Sequence, residues 1–284
     1  MKTSAACLPA RSTRRIRTTV VSALFVAVAV GAAAAPQAEL WSLWEAHDPD
    51  STKEVSHDAW GSFLDTYLVT DHPSGVHRVR YSEVNGEDRT ALQEYLDRLQ
   101  SVAVSELNRD EQLAYWINLY NAATVELILE HYPVESIRDI GGGMFGGGPW
   151  DEELLRVEGE NLTLNDVEHR IIRPIWQDPR IHYVVNCASI GCPSMYPEPL
   201  TADNWERIFD EAAVDYTGHP RGVRFDDGRL VLSEIYNWYS EDFGDTFEGV
   251  VNHLERYVDD ETAARLREFD GRGRYEYDWA LNEP

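Results

Sequence analysis

The clearest hydrophobic rhythm in the chain runs from 108 to 131, where Leu113, Trp116, Ile117, Tyr120, Thr124, Leu127 and Ile128 recur at spacings of three and four. Asn108 followed by Glu111 forms a capping pair at its start, so the segment is predicted as a long helix with one stripe against a core. Asn121 falls at the edge of that stripe and Asn118 well round the cylinder. A helix that keeps both in contact must be buried on more than one side. Leu154 to Leu164 reads as a hairpin around Glu158-Gly159-Glu160-Asn161, after which Thr163 and Asp166 again have capping spacing. A short helix then runs to Pro174 with Leu164, Val167 and Ile171 as its core stripe. His169 and Arg173 share the opposite side and Glu168 the flank, a face that is either solvated or lines a cleft.

The run Arg180 to Cys187 is rich in β-formers and predicts a strand. Ile181, Tyr183, Val185 and Cys187 share one side, and His182, Val184 and Asn186 the other. It breaks at the small-residue turn Ala188 to Pro193. Downstream the pattern gives a helix over 202–216, a hairpin through Asp226-Asp227-Gly228, helices near 233–240, 246–257 and 260–268, and a final strand over 275–279. Strands and helices do not alternate regularly. The expected class is therefore α+β, with helices packed around a small, mostly antiparallel sheet in a single domain.

The amino terminus changes the picture. Lys2, Arg11, Arg14, Arg15 and Arg17 precede the apolar run Thr19 to Val30 and the small residues Gly31 to Ala35, the layout of a signal peptide cut after Ala34. The expected organisation is a signal peptide over 1–34, an N-terminal extension over 35–54 and one domain over 55–284, in a periplasmic or secreted protein. The apolar run is short for a membrane span, so no stable span is expected after cleavage. Cleavage removes five basic residues and no acid, which takes the formal charge from −25 to about −30. Such a field disfavours nucleic acid and anionic lipid. Lys2 and Lys53 are the only lysines. An acid-rich, lysine-poor surface suits concentrated salt, a cationic partner or plain solubility, and the sequence leaves these open.

An apolar content of 43% supports a sizeable core. No internal repeat is visible. The glycine-rich stretch Gly141 to Trp150 lacks a phosphate-loop lysine, which leaves a loop over a cleft or a plain connector.

Five blocks occur in order: Trp116-Ile117-Asn118-Leu119-Tyr120-Asn121-Ala122; Gly148-Pro149-Trp150; Leu164 to Arg173; Asn186-Cys187-Ala188-Ser189-Ile190-Gly191-Cys192-Pro193; and Tyr277-Asp278-Trp279-Ala280-Leu281-Asn282. Together they make the chain, over roughly residues 55 to 282, resemble the domain of unknown function 547 family. That resemblance implies a distant likeness to papain and transglutaminase-like folds, in which a cysteine at a helix start works with a histidine. Here the long helix carries Asn118 and Asn121 and no cysteine.

Cys187 and Cys192 are the only cysteines left after processing, in an oxidising compartment. A disulfide closed by the Gly191 turn is one reading. The sharper one makes Cys187 a nucleophile that exposes its sulfur and nearby backbone amides to a substrate carbonyl. Strand alternation points His182 away from Cys187, so His169 is the expected base, Glu168 its orienter and Arg173 a binder of substrate carboxylate. Asn121, Trp150 and Trp279 complete the substrate-binding candidates. His182, Cys187 and Cys192 match no standard zinc spacing, and no metal or cofactor is expected. The expected activity is a thiol-dependent hydrolase or acyltransferase acting on an amide or ester. The alternative is a non-catalytic module for a peptide, glycan or small-molecule ligand, with a structural Cys187–Cys192 bridge.

Overall fold

A computed structural model describes Met1 and residues 36–141, 148–271 and 273–284. The signal peptide expected over 1–34 and most of the glycine run lie outside the described residues. Eight α-helices and seven short strands are described. In chain order the first half holds α1 (Asp58–Tyr67), β1 (Leu68–Val69), β2 (Arg78–Val79), α2 (Gly86–Gln100), α3 (Arg109–His131), β3 (Leu155–Val157) and β4 (Glu160–Leu162). The second half holds α4 (Arg173–Trp176), α5 (Trp205–Gly218), β5 (Val223–Asp226), β6 (Arg229–Ser233), α6 (Ile235–Trp238), α7 (Phe247–Leu254), α8 (Asp260–Glu268) and β7 (Arg274–Glu276). The strands form three small sheets, β1-β2, β3-β4 and β5-β6-β7. Every pairing is antiparallel except the parallel one between β6 and β7, so the α+β class holds.

Helix α3 is the axis of the core. Asn108 caps it by accepting the Glu111 N–H at 2.9 Å, and Asp110 and Glu111 place negative charge at its positive end. The single stripe expected from its periodicity is too narrow, because 18 of its 23 residues are buried. That burial is tolerable because its amide side chains are satisfied, although the Trp116 indole N–H has no partner among the described residues. Gln112 Nε2 donates to the Ala46 and Val104 carbonyls. Asn118 donates to the Leu200 carbonyl and accepts the Leu200 N–H. Asn121 donates to the Val184 carbonyl at 2.9 Å and accepts the Asn186 N–H at 2.9 Å.

The hairpin expected near 158–161 is present. Glu158 and Gly159 both take positive φ, the geometry of a two-residue turn that matches strand twist. Asp227 and Gly228 do the same between β5 and β6. The strand expected over Arg180–Cys187 is not there. Asp178 accepts the Arg180 N–H and Pro179 occupies the first helical position, so the chain enters a 3₁₀ turn over Pro179–Tyr183. Ile181 to Asn186 are buried without alternation, and Asn121 fills the hydrogen-bonding role that a neighbouring strand would have filled.

Candidate thiol site

The turn after Asn186 is held from three sides. The Asn186 side chain accepts the Ala188 N–H at 2.8 Å and donates to the Pro193 carbonyl at 2.7 Å, closing the loop on itself. Ala188 sits at φ 59°, a strained conformation for a residue with a β-carbon. The C-terminal segment then runs along the turn: Ile190 N–H donates to Ala280, Gly191 N–H to Asp278 and Asn282 N–H to Ala188. A β-carbon at Gly191 would come within 2.9 Å of the Asp278 backbone, so only glycine permits this approach.

Both cysteines are free, with Cys187 half-buried and Cys192 buried. Their sulfurs lie 2.6 Å apart. Tyr277 Oη is 3.1 Å from each sulfur, and Ser189 Oγ is 3.1 Å from Cys187 Sγ and 3.0 Å from Tyr277 Oη. The Cys187 backbone N–H donates to Cys192 Sγ at 3.0 Å. Burial pushes the Cys192 thiol up, but the Cys187 thiol, the Tyr277 hydroxyl and the Cys187 amide outweigh it and bring it down to about 7. Cys187 moves the opposite way, raised by its bond to Cys192, by burial and by the neighbouring charge. The backbone amides expected to face a substrate carbonyl are engaged internally at 187, 188, 190, 191 and 192.

The proposed base and its companions form a second polar cluster. Asp166–Ile172 is wound as a π-helix, which places Glu168 and His169 inward together. The stretch after Pro36 covers them, with Glu39 and Trp41 donating to the His169 and Arg170 carbonyls. The solvated or cleft-lining face expected for His169 and Arg173 is therefore sealed, and Glu168, His169 and Arg173 are all buried. Arg173 donates to Asp242 and Glu241 at 2.6 Å each, to the Pro36 carbonyl at 2.8 Å and to His169 Nδ1 at 3.0 Å. Its guanidinium is thus occupied internally.

His182 Nε2 donates to Asp242 Oδ2 at 2.6 Å, and its ring stacks on Tyr239 at 4.0 Å. Glu168 Oε1 lies 3.9 Å from Nδ1 of both His169 and His182. Burial, aided by the Arg173 charge, holds His169 below its ordinary value although Glu168 opposes it. Burial raises Asp242, but His182 and Arg173 overcome it and take the carboxyl down to about 2.

No hydrogen bond joins His169 to Cys187 among the described residues. The two clusters meet through Tyr239 and Tyr120, each of which has its hydroxyl raised by burial first and then by the charges of both Glu168 and Cys187. Asn121 lies beneath the site as a backbone clamp. Trp150 and Trp279 do come together, with ring centroids 5.8 Å apart. Trp238 and Tyr277 extend them into a half-buried aromatic platform, at 5.5 and 4.7 Å from Trp279, and Arg138 lies over the Trp279 ring. Through Tyr277 this platform adjoins the sulfurs. Among the described residues no group of three His, Cys, Asp or Glu side chains is arranged to hold a metal ion.

Sequence reasoning missed Tyr277 as a thiol partner, Trp238, and the His182–Asp242 pair. Tyr277 stood in the aromatic alternation at the end of the chain. Asp242 carried no local signal at all.

Fold and site together define an α+β protein built around two paired thiols beside a buried histidine–carboxylate cluster. Residues 104–217 match the family model described as "Protein of unknown function, DUF547". That match supports membership of the domain of unknown function 547 family, the family that the sequence resembles. The segment holds Asn121, Glu168, His169, Arg173, His182, Cys187 and Cys192, while Tyr239, Asp242, Tyr277 and Trp279 lie beyond it. Neither curated proteins nor solved structures gave a match.

Proposed function

We propose that the protein is an exported, thiol-dependent hydrolase or acyltransferase acting on an amide or ester, with Cys187 as nucleophile and Cys192 as its proton acceptor. The observation that carries this reading is the hydrogen bonding of Cys192. A fixed backbone N–H and a tyrosine hydroxyl favour its thiolate, 2.6 Å from the sulfur of half-exposed Cys187. The Cys187 proton passes to Cys192 as Cys187 Sγ bonds the acyl carbon. The leaving amine or alkoxide takes that proton back from Cys192, and water or an acceptor alcohol or amine then breaks the thioester. Tyr277 and Ser189 hydroxyls are the donors nearest the developing oxyanion. The Trp150, Trp238 and Trp279 rings offer a surface for the substrate. His169 and Glu168 act through Tyr239 and hold the wall of the site.

The short sulfur–sulfur separation also favours a second reading, a peptide- or glycan-binding module whose cysteines are bonded. Alkylation of the untreated mature protein, followed by mass spectrometry, separates the two. A single fast-reacting thiol at Cys187 supports the enzyme. A protein that labels only after reduction, with Cys187→Ala and Cys192→Ala equally destabilised, supports the module and overturns the hydrolase.

A further inference from the structure

Three turns, one of them leading out of Cys192, meet around a pair of arginines. These are 72–75 ahead of β2, 192–195 after the cysteine turn, and 219–222 between α5 and β5. His219 is fixed in one tautomer: its Nδ1 accepts the Arg221 N–H at 3.1 Å, so Nε2 carries the proton donated to the Ser74 carbonyl at 2.8 Å. Ser74 Oγ accepts from Arg78 Nη2 at 3.1 Å, and Ser194 Oγ from Arg221 Nη2 at 2.9 Å. Arg78 is 6% exposed, and the Arg221 side chain 10%. Nε and Nη1 of both arginines are buried with no hydrogen-bond partner among the described residues, which leaves four orphan donor nitrogens on two cations.

Buried guanidiniums elsewhere in the chain are paired. Arg173 has two carboxylates at 2.6 Å, and Arg180 has Asp178 and Asp210 at 2.6 and 2.7 Å. Among the described residues the one carboxylate near Arg221 is exposed Asp215, at 3.8 Å, and its guanidinium lies over the Tyr216 ring at 5.2 Å. Burial lowers both arginines; against it Asp278 raises Arg78, and Tyr216, Asp215 and Cys192 raise Arg221, by charge and not by a hydrogen bond. In a sequence with 50 acids against 25 bases, a shortage of carboxylates does not explain two unpaired buried cations. A buried charge without a partner costs several kcal/mol. That cost falls away when an anion completes the hydrogen bonds.

We propose that Arg78 and Arg221 form an oxyanion site that takes a carboxylate or phosphate group from a ligand. Ser74, which accepts from Arg78 Nη2, stands beside the pair in an exposed turn. The group bonds the Nε and Nη1 hydrogens that now lack partners and neutralises two like charges held in electrostatic reach of each other. An inert Cys187 would remove none of the groups that make this site.

The test is thermal unfolding of the full mature chain titrated with inorganic phosphate or sodium acetate, at ionic strength held constant with NaCl. The expected result is a saturating rise of about 2–4 °C. It should be lost in Arg78→Gln and in Arg221→Gln. Response to acetate alone assigns a carboxylate, and response to phosphate alone a phosphate. No rise with either anion, or an equal rise in both variants, overturns the site. If the variants do not fold, phenylglyoxal labelling of the wild type is read peptide by peptide. Slower modification of Arg78 and Arg221 with the effective anion supports the site, and unchanged labelling overturns it.

Discussion

A backbone amide cannot rotate away from its acceptor, and the one at Cys187 points at Cys192 Sγ rather than at its own sulfur. The charge of the pair therefore settles on the buried partner, while the more exposed sulfur keeps its proton. Tyr277 contributes the movable half of that preference. Its own hydroxyl is pushed up by burial and by both cysteines, so it stays protonated and donates. Tyr277→Phe is expected to move the midpoint of the pH dependence of alkylation upward from about 7, because a donor to the thiolate is lost. Iodoacetamide kinetics between pH 6 and pH 10 check it, and an unmoved midpoint would remove Tyr277 from the thiol chemistry.

At the scale of elements, α3 positions the site by a side chain that behaves like backbone. Asn121 bonds Val184 and Asn186 as a neighbouring strand would, and Asn186 in turn closes the cysteine turn. Asn121→Ala leaves a buried N–H and a buried carbonyl unpaired, and roughly 2–4 kcal/mol of stability should be lost. Chemical denaturation gives the value. A loss below about 0.5 kcal/mol would mean that the clamp is dispensable.

Local chemistry made α3, its Asn108 cap and both two-residue hairpins legible in the sequence, because each depends on residues a few positions apart. Arg180–Cys187 misled because its β-branched residues answer to burial on all sides, and its hydrogen-bonding partner is a side chain more than 60 residues earlier. Cys187, Trp150 and Trp279 stood out by residue type. Asp242 did not, since its meaning lies in His182 and Arg173, far back in the chain.

For the molecule as a whole, buried histidines set the response to acid. Burial lowers His57 and His253 to about 4 each and lowers His169 as well. The unfolded chain binds protons at these positions from about pH 6.5 downward while the folded protein does not. Their contribution is complete above pH 6.5 and is lost progressively as the pH falls toward 4, by about 3 kcal/mol for each of His57 and His253. Unfolding midpoints measured from pH 7 to pH 4 should fall accordingly, and His253→Gln should flatten part of that slope. The acidic surface adds a second dependence. With a formal charge of −25, self-repulsion should make the unfolding midpoint climb as NaCl is raised from near zero. A midpoint insensitive to salt would leave solubility as the role of the acids.

The segment from Tyr277 to Asn282 also ties distant regions together: Leu281 N–H bonds the Glu135 carbonyl, and the Val79 N–H bonds that of Asn282. The hydroxyl that reaches the sulfurs therefore comes from a residue far along the chain from both cysteines. An unfolded polypeptide carries its cysteines as ordinary thiols, and their special acidity switches on only when the Tyr277 segment docks. Closure of the fold thereby sets the moment at which the pair acquires its acidity.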